Sequence, residues 1–264
     1  MSEISIVSYN LRCIWDKYDG INSFINRAGT VLEKIDKTKP DIICFQECIR
    51  KQCDFFRKYL SDYTIIYNQR KADYSGEGLA VALKKDVIEL YGLDVFWLSD
   101  TPRVPGSRFE IQSECPRICQ SLTVYDRRQS KMLKVYNVHL DHVSDEARLL
   151  GIKQLLNYAV NREETDIPLF ILGDFNALPG SKTIEYCDNF DALPIVDLTR
   201  ETGGTFHAFG NVENDPAYAT PIKIDYIYAD KETAQKPHTV ELWKDENNGI
   251  YLSDHYPVSL KIEL

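Results

Sequence analysis

The residues able to do chemistry in this chain stand in short polar groups that follow or interrupt apolar runs. Asn10 follows Ile4–Tyr9, Gln46-Glu47 follows Asp41–Phe45, and His139 closes a run that begins near Lys131. Gly173-Asp174-Phe175-Asn176 follows Pro168–Leu172, Asp225 lies within Lys223-Ile224-Asp225-Tyr226, and Ser253-Asp254-His255 precedes the last apolar run. Glu47, Asn10 and Asp254 offer hard oxygen ligands of the kind Mg²⁺ accepts, since that ion keeps several waters and takes only one or two carboxylates. Mn²⁺ suits the same oxygens. His139 and His255 can donate to phosphate oxygens or act as a base near neutral pH. A histidine in such a role needs a partner to fix its tautomer, and Asp225 and Glu77 are the candidates. Single residues have plainer readings: Asn10 as a turn cap, Asp174 and Asn176 as shapers of the turn before Pro179.

These groups need elements that bring them together. Ile4–Tyr9 alternates apolar and polar residues, which predicts a strand with one covered face. Phe24, Ile25, Ala28, Val31, Leu32 and Ile35 recur at helical spacing, with Pro40 as the stop. Asp41–Phe45 reads as a short buried strand, followed by a helix from about Lys51 to Leu60. Strands follow at Thr64–Tyr67, Leu79–Leu83 and Val87–Trp97, and again at Ile118–Tyr125 and Lys131–Leu140. Between them, Ser99–Pro116 carries prolines, Gly106 and charges without a period, the mark of a long loop with a function. Its arginines, Arg103 and Arg108, are expected to reach a second phosphate together with Arg117. Ser144 is a helix cap, with Asp145 and Glu146 in the electropositive first turn. A short helix near Ser181–Cys187, a loop at Gly203–Pro216 and strands at Ile222–Tyr228, Thr239–Trp243 and Tyr256–Ile262 complete the order. Strands mixed with a few helices suggest two sheets packed face to face with helices outside.

Composition narrows the class. The 264 residues, 44% apolar and 27% charged, fit one compact domain over 1–264 with a core of its own. No signal peptide or membrane-spanning run is apparent, so a soluble cytoplasmic protein without membrane partners is expected. Seven cysteines lack any Cys-x-x-Cys pair and read as reduced thiols rather than a zinc site. The net charge of −9 weighs against long nucleic acid held by its backbone. It leaves a nuclease open, because a local cleft can be positive on an acidic protein.

Ser8-Tyr9-Asn10-Leu11, Gln46-Glu47, Gly173-Asp174-Phe175-Asn176, Ile224-Asp225-Tyr226 and Ser253-Asp254-His255 resemble, in order and in span, the motif set of the endonuclease/exonuclease/phosphatase superfamily, which has the deoxyribonuclease-I-like fold. Phe96-Trp97-Leu98-Ser99, Cys115-Pro116-Arg117-Ile118 and His139-Leu140-Asp141-His142 look most similar to an uncharacterised bacterial branch related to deadenylase-like members. The resemblance implies an α/β fold, a four-layer α/β sandwich of two mainly antiparallel sheets flanked by helices. It also implies Mg²⁺ on Glu47 with Asn10 and Asp254 close by. Asp174, aided by Asn176, would activate water. His255, oriented by Asp225, and His139, oriented by Glu77, would donate to the phosphoryl oxygens. Arg117 and His142 are expected at the substrate.

The activity expected is Mg²⁺-dependent hydrolysis of a phosphodiester or phosphomonoester of small or medium size. The alternative is a single-strand-specific exonuclease or endonuclease. That reading wants aromatic platforms, for which Phe96, Trp97, Phe109, Phe206 and Phe209 are candidates. A catalytically silent scaffold is disfavoured because every expected catalytic residue is present. Arg148 reads as a structural ion-pair partner, His207 as a loop residue and His238 as a surface one. Oligomeric state is not readable.

Overall fold

The computed structural model describes residues 3–162, 166–213 and 220–264. One six-stranded sheet has the order β11 (His238–Leu242), β14 (Val258–Glu263), β1 (Glu3–Asn10), β2 (Ile42–Ile49), β4 (Glu77–Lys84) and β3 (Tyr63–Gln69). The second runs β5 (Ile88–Trp97), β6 (Ile118–Asp126), β7 (Lys131–His139), β8 (Leu169–Asp174), β10 (Asp225–Asp230) and β9 (Ile195–Asp197). β1 pairs parallel with β2, and β7 with β8; the other pairs are antiparallel. A small hairpin of β12 (Glu246–Asn247) and β13 (Ile250–Tyr251) stands apart.

Alternation along the strands builds the layers. Ile4 and Ile6 join Ile42, Cys44, Val81 and Leu83 against Leu122, Val135, Phe170 and Leu172 of the other sheet. Val7, Tyr9, Ile43 and Phe45 point the other way, onto α1 (Phe24–Thr38) and α2 (Arg50–Tyr59). Phe45 and Phe56 stack there with centroids 5.0 Å apart. Tyr136, Val138, Ile171 and Tyr228 pack against α3 (Asp145–Val160) and α4 (Lys182–Asp188). The result is helices, sheet, sheet, helices, the expected four-layer sandwich. β1 is covered on both faces, however, and even Ser8 is buried. The polar positions that suggested one wet face are buried between layers.

Where the two sheets meet under the site the contact is polar. Asn137 of β7 accepts from Gln46 Nε2 at 2.9 Å and donates to Gln120 Oε1 at 2.9 Å and to the carbonyls of Phe45 and Ala80 at 3.2 Å. The pairing of β2 with β4 shifts register between Phe45 and Cys48, and Glu47 takes a left-handed φ of 53°. A bulge re-aims side chains and takes carbonyls out of the ladder, and Asn137 serves the Phe45 carbonyl at its edge.

Arg27 performs a similar service at the loops. Its buried guanidinium donates to the carbonyls of Asn22, Leu11 and Leu252 at 2.5–2.8 Å, tying the segment after β1 to the one before β14. Ser144 caps α3 as expected, accepting from Ala147 N at 3.2 Å. All seven cysteines are free thiols, and no helix among the described residues is long and apolar enough to cross a membrane.

Replacing Asn137 with Leu keeps the volume near constant but orphans Gln46, Gln120 and two carbonyls. Each buried polar group left unpaired costs about 1–3 kcal/mol, so a loss of roughly 3 kcal/mol or more is expected. Urea unfolding of Asn137→Leu checks this; a midpoint within error of wild type would show that the network does not secure the bulge.

Candidate functional site

Strand register brings the polar groups to one end of the sandwich. Asn10 sits opposite Gln46 in the parallel pair of β1 and β2, and His139 opposite Asp174 in that of β7 and β8. The antiparallel partners start at this end: Asp225 faces Asp174, Glu77 faces Ile49, and Val258, just after His255, faces Ser8. Gly173 permits the close approach of β8 to β7. Its φ is +146°, and a Cβ there would lie 1.8 Å from the Val138 carbonyl oxygen.

Asp174 is the hub. Its Oδ2 accepts from Asn10 Nδ2 at 3.0 Å and lies 3.4 Å from His139 Nε2 and 3.9 Å from His255 Nε2, while Oδ1 accepts from Asn176 N at 2.9 Å. Asn10 Nδ2 also reaches Glu47 Oε1 at 3.3 Å, and Glu47 Oε2 accepts from Cys13 N at 3.2 Å. His255 Nδ1 is held by Asp225 Oδ2 at 2.8 Å, and Asp225 in turn accepts from Thr205 Oγ1 at 2.5 Å. The expected pairing of Asp225 with His255 is therefore present.

The charges answer to burial and to one another. Burial, and then the Asp225 charge, push the Asp174 carboxyl up to about 7. Burial opposes charge on His255, but Asp225, Asp174 and Asp254 outweigh it and hold the imidazolium up to about 10. Burial and then Arg117 and Arg70 push His139 well below the usual histidine range, so its ring is neutral. Burial would raise Glu47, yet His255, the Cys13 N–H and Arg12 keep it below the ordinary carboxylate range. Burial and Glu47 raise Asp254 against the pull of His255. Five buried or half-buried acids, Glu47, Glu77, Asp174, Asp225 and Asp254, thus crowd one end of the sandwich, and some are held against ionisation.

Around them opens a cleft of about 630 Å³. Its lining includes Glu47, His139, Asp174, Asn176, Asp254 and His255, with Glu77, Arg117 and His142. Asp225 stands behind His255. Asn176 turns its amide to the Leu140 carbonyl at 3.2 Å, so it braces the Asp174 turn as well as lining the cleft.

Other expectations are corrected. Glu77 does not orient His139: it is ion-paired with Arg70, and Arg117 Nη1 lies 3.8 Å away. Two arginines outcompete a neutral imidazole for that carboxylate. Arg103 and Arg108 do not reach toward a phosphate. Arg103 forks onto Asp94 at 2.5 and 2.8 Å, and Arg108 donates to the Gln112 carbonyl, because the Ser99–Pro116 loop folds onto itself and its flanks. Phe96 and Phe109 are core, the Trp97 indole donates to the Arg70 carbonyl, and Phe209 lies beside the Arg27 guanidinium. Of the aromatic platforms only Phe206 lines the cleft, its ring centroid 4.9 Å from that of His255. His207 stacks on Tyr256 and His238 is exposed. The Gly203–Pro216 loop beyond residue 213 lies outside the described residues.

Sequence reasoning missed Arg12 and Arg70 and left Arg148 as structural; all three line the cleft. Arg12 could have been noticed two residues past Asn10. Arg70 sits in a charged turn with nothing local to distinguish it. Arg148 does make the expected pair with Asp145, and it also donates to the Asp141 carbonyl at 2.8 Å.

Comparisons with known proteins follow the same lines. The model of the Endonuclease/Exonuclease/phosphatase family matches residues 7–255. An uncharacterized protein of Acanthamoeba polyphaga mimivirus is 22% identical over 264 residues, covering 94% of this chain and 95% of its own. The crystal structure of the endonuclease/exonuclease/phosphatase from Bacteroides vulgatus has a TM-score of 0.87 at 25% identity, with 100% of both chains covered. The fold is shared as well with a mannosyl-6-phosphatase of Bacteroides thetaiotaomicron, at a TM-score of 0.81 and 22% identity over 99% of this chain and 100% of that one.

If Asp225 holds the His255 ring for work at Asp174, Asp225→Asn should lower kcat by about 10²-fold or more, the lower end of what a positioned proton-transfer group contributes. Thermal stability should fall much less than it does for a core deletion. Steady-state kinetics beside a melting curve tests this, and an unchanged kcat would remove His255 from the reacting groups.

Proposed function

The chain belongs to the Endonuclease/Exonuclease/phosphatase family and is a hydrolase of phosphate esters; from there we propose a Mg²⁺-dependent phosphoesterase acting on small or medium substrates. The observation that carries this reading is the convergence of Asn10, His139 and His255 on one oxygen of Asp174, with Glu47 bonded to the same Asn10.

The donor set fits a divalent cation. Several buried carboxylates lie together here, and burial with the neighbouring Asp225 charge drives the Asp174 carboxyl up to about 7. Glu47, with Asn10 and Asp254 beside it, would hold the ion, and oxygen donors with no thiolate required favour Mg²⁺ or Mn²⁺. Glu47, His139 and Asp174 also offer ligand atoms within 4.8 Å of one another. Bound there, the ion would supply Lewis-acid polarisation of the phosphoryl oxygens.

The chain's own residues supply the rest. Asp174 Oδ2 holds the attacking water and receives its proton, while Asn176 N and Asn10 fix the carboxylate's plane. His255 presents its Nε2–H to the charge that builds on the phosphoryl group, its Nδ1–H being committed to Asp225. His139, neutral, donates its Nε2–H from the other side. Donors already aimed at developing charge cost no reorganisation during the reaction.

Substrate size follows from the cleft. A volume of about 630 Å³ is in the range of small-molecule sites, and the net charge of −9 disfavours grip on a long polyanion. Among the described residues only Phe206 of the candidate platforms lines the cleft, which reduces the stacking surface that the single-strand alternative calls for.

Chelation with EDTA should abolish turnover, and Mg²⁺ should restore it. Mg²⁺ should also raise the Tm of the wild type, as any ligand of the native state does, and fail to raise that of Glu47→Gln. A Glu47→Gln protein stabilised by Mg²⁺ to the same extent, with near wild-type activity at limiting metal, would overturn the metal assignment.

A further inference from the structure

Glu77 is one carboxylate between two buried guanidinium groups. Arg70 is ion-paired with it, and Arg117, 4% exposed, approaches it to 3.8 Å. Among the described residues Arg117 has no other carboxylate at ion-pair distance. Burying a charge costs several kcal/mol unless it is compensated, and two guanidinium groups on one carboxylate leave this part of the cleft wall locally positive. That charge faces the cleft beside His139, which is why Arg117 and Arg70 depress its ring.

Arg117 is also directed. Its Nη2 lies 3.0 Å from His142 Nδ1. A guanidinium only donates, so Nδ1 accepts and the ring's hydrogen sits on Nε2. His142 is exposed at the cleft, and Nε2–H is the donor it has left to offer. A small recess of about 10 Å³ lies among Arg70, Glu77, Leu79, Arg117 and His139, room for one water at most. Arg117 Nε and Nη1 are buried and have no hydrogen-bond partner in the protein, Nη1 having only its longer ion-pair contact with Glu77. The cleft lining also has an apolar part: Leu178, 51% exposed, with Ile222, Ile224 and Phe206.

A phosphomonoester carries about −1.5 to −2 at pH 7, whereas a diester carries one charge and a second organic substituent. The wall at Arg117, with its guanidinium groups and the His142 donor, matches the greater charge of the first. We infer that the cleft is built for a terminal phosphomonoester, whose non-bridging oxygens take Arg117 and His142 while its single organic group leaves along Leu178, Ile222 and Phe206. This deepens the phosphoesterase reading and rests on it. In the reaction a bond forms between water oxygen and phosphorus, and the phosphorus–ester oxygen bond breaks. The alcohol departs with one proton, and inorganic phosphate is the other product.

The test compares p-nitrophenyl phosphate with methyl p-nitrophenyl phosphate, which share a leaving group and differ by the methyl ester, on Mg²⁺-loaded protein. Wild type should favour the monoester in kcat/KM by about 100-fold, since a site that hydrogen-bonds a group rejects the analogue lacking it. Arg117→Met leaves the Arg70–Glu77 pair intact and should cut monoester turnover by about thirtyfold or more, the loss of a charged hydrogen bond, with the diester changed less than about threefold. His142→Gln, at an exposed position where folding is not at stake, should shift the ratio the same way, and inorganic phosphate should inhibit both variants more weakly. Parallel loss on both esters, or a wild type that takes the diester equally well, overturns the monoester inference alone. No turnover of either ester with any divalent metal overturns the phosphoesterase reading and this inference with it.

Discussion

The bulge in β2 is the constraint on which the site depends. A regular strand would send Gln46 and Glu47 to opposite faces, one between the sheets and the other under α2. The inserted residue turns Glu47 through a left-handed φ of 53° instead, so its carboxylate joins Asn10 and the Cys13 amide at the strand ends. A glutamate in that region of backbone space is costly, and such strain persists only where the surroundings hold it. Here the holding comes from the second sheet, through Asn137 and Gln46. Position of the candidate metal ligand and cohesion of the sheets are thus one interaction.

Charge is arranged around that point by unequal sharing. Acids gather where the sheets' ends meet, and burial together with their mutual repulsion raises the Asp174 and Asp254 carboxyls. Along the adjoining wall two arginines share Glu77. A phosphate ester would lie across the boundary, one side calling for a cation and the other already supplying one. The imidazoles at the boundary differ because their neighbours do. His255 has carboxylates about it and stays charged, whereas His139 has guanidinium groups and stays neutral. Two histidines of one kind in sequence become different donors through their surroundings.

Several contacts that look structural are what keep these donors aimed. Thr205 orders the Asp225 carboxylate that holds His255. Lys223, buried on Asp197 and Thr199, pins the approach to β10. Arg27 joins the loops that carry Arg12 and Asp254 by bonding only carbonyl oxygens. None touches the cleft's reacting groups, and each fixes a segment that does.

Local pattern was enough to read much of this protein. Asn10, Glu47, Asp174, Asp225 and His255 declare themselves because each is a polar residue at the end of an apolar run, and strands of a two-layer sheet bring such ends together. The Ser144 cap was readable because spacing along a helix constrains where a side chain goes, whereas the Asp225–His255 pair was implied by the family resemblance. Partnership across the fold was not readable. Glu77 belongs to Arg70 and Arg117 rather than His139, because strength of charge decides among neighbours that only packing assembles. Arg103 and Arg108 turn from the cleft onto the Asp94 carboxylate of β5 and the loop's own Gln112 carbonyl. Ser8 falls on a polar position of the Ile4–Tyr9 alternation, yet it is buried, since whether a second layer covers a face is decided by tertiary structure alone.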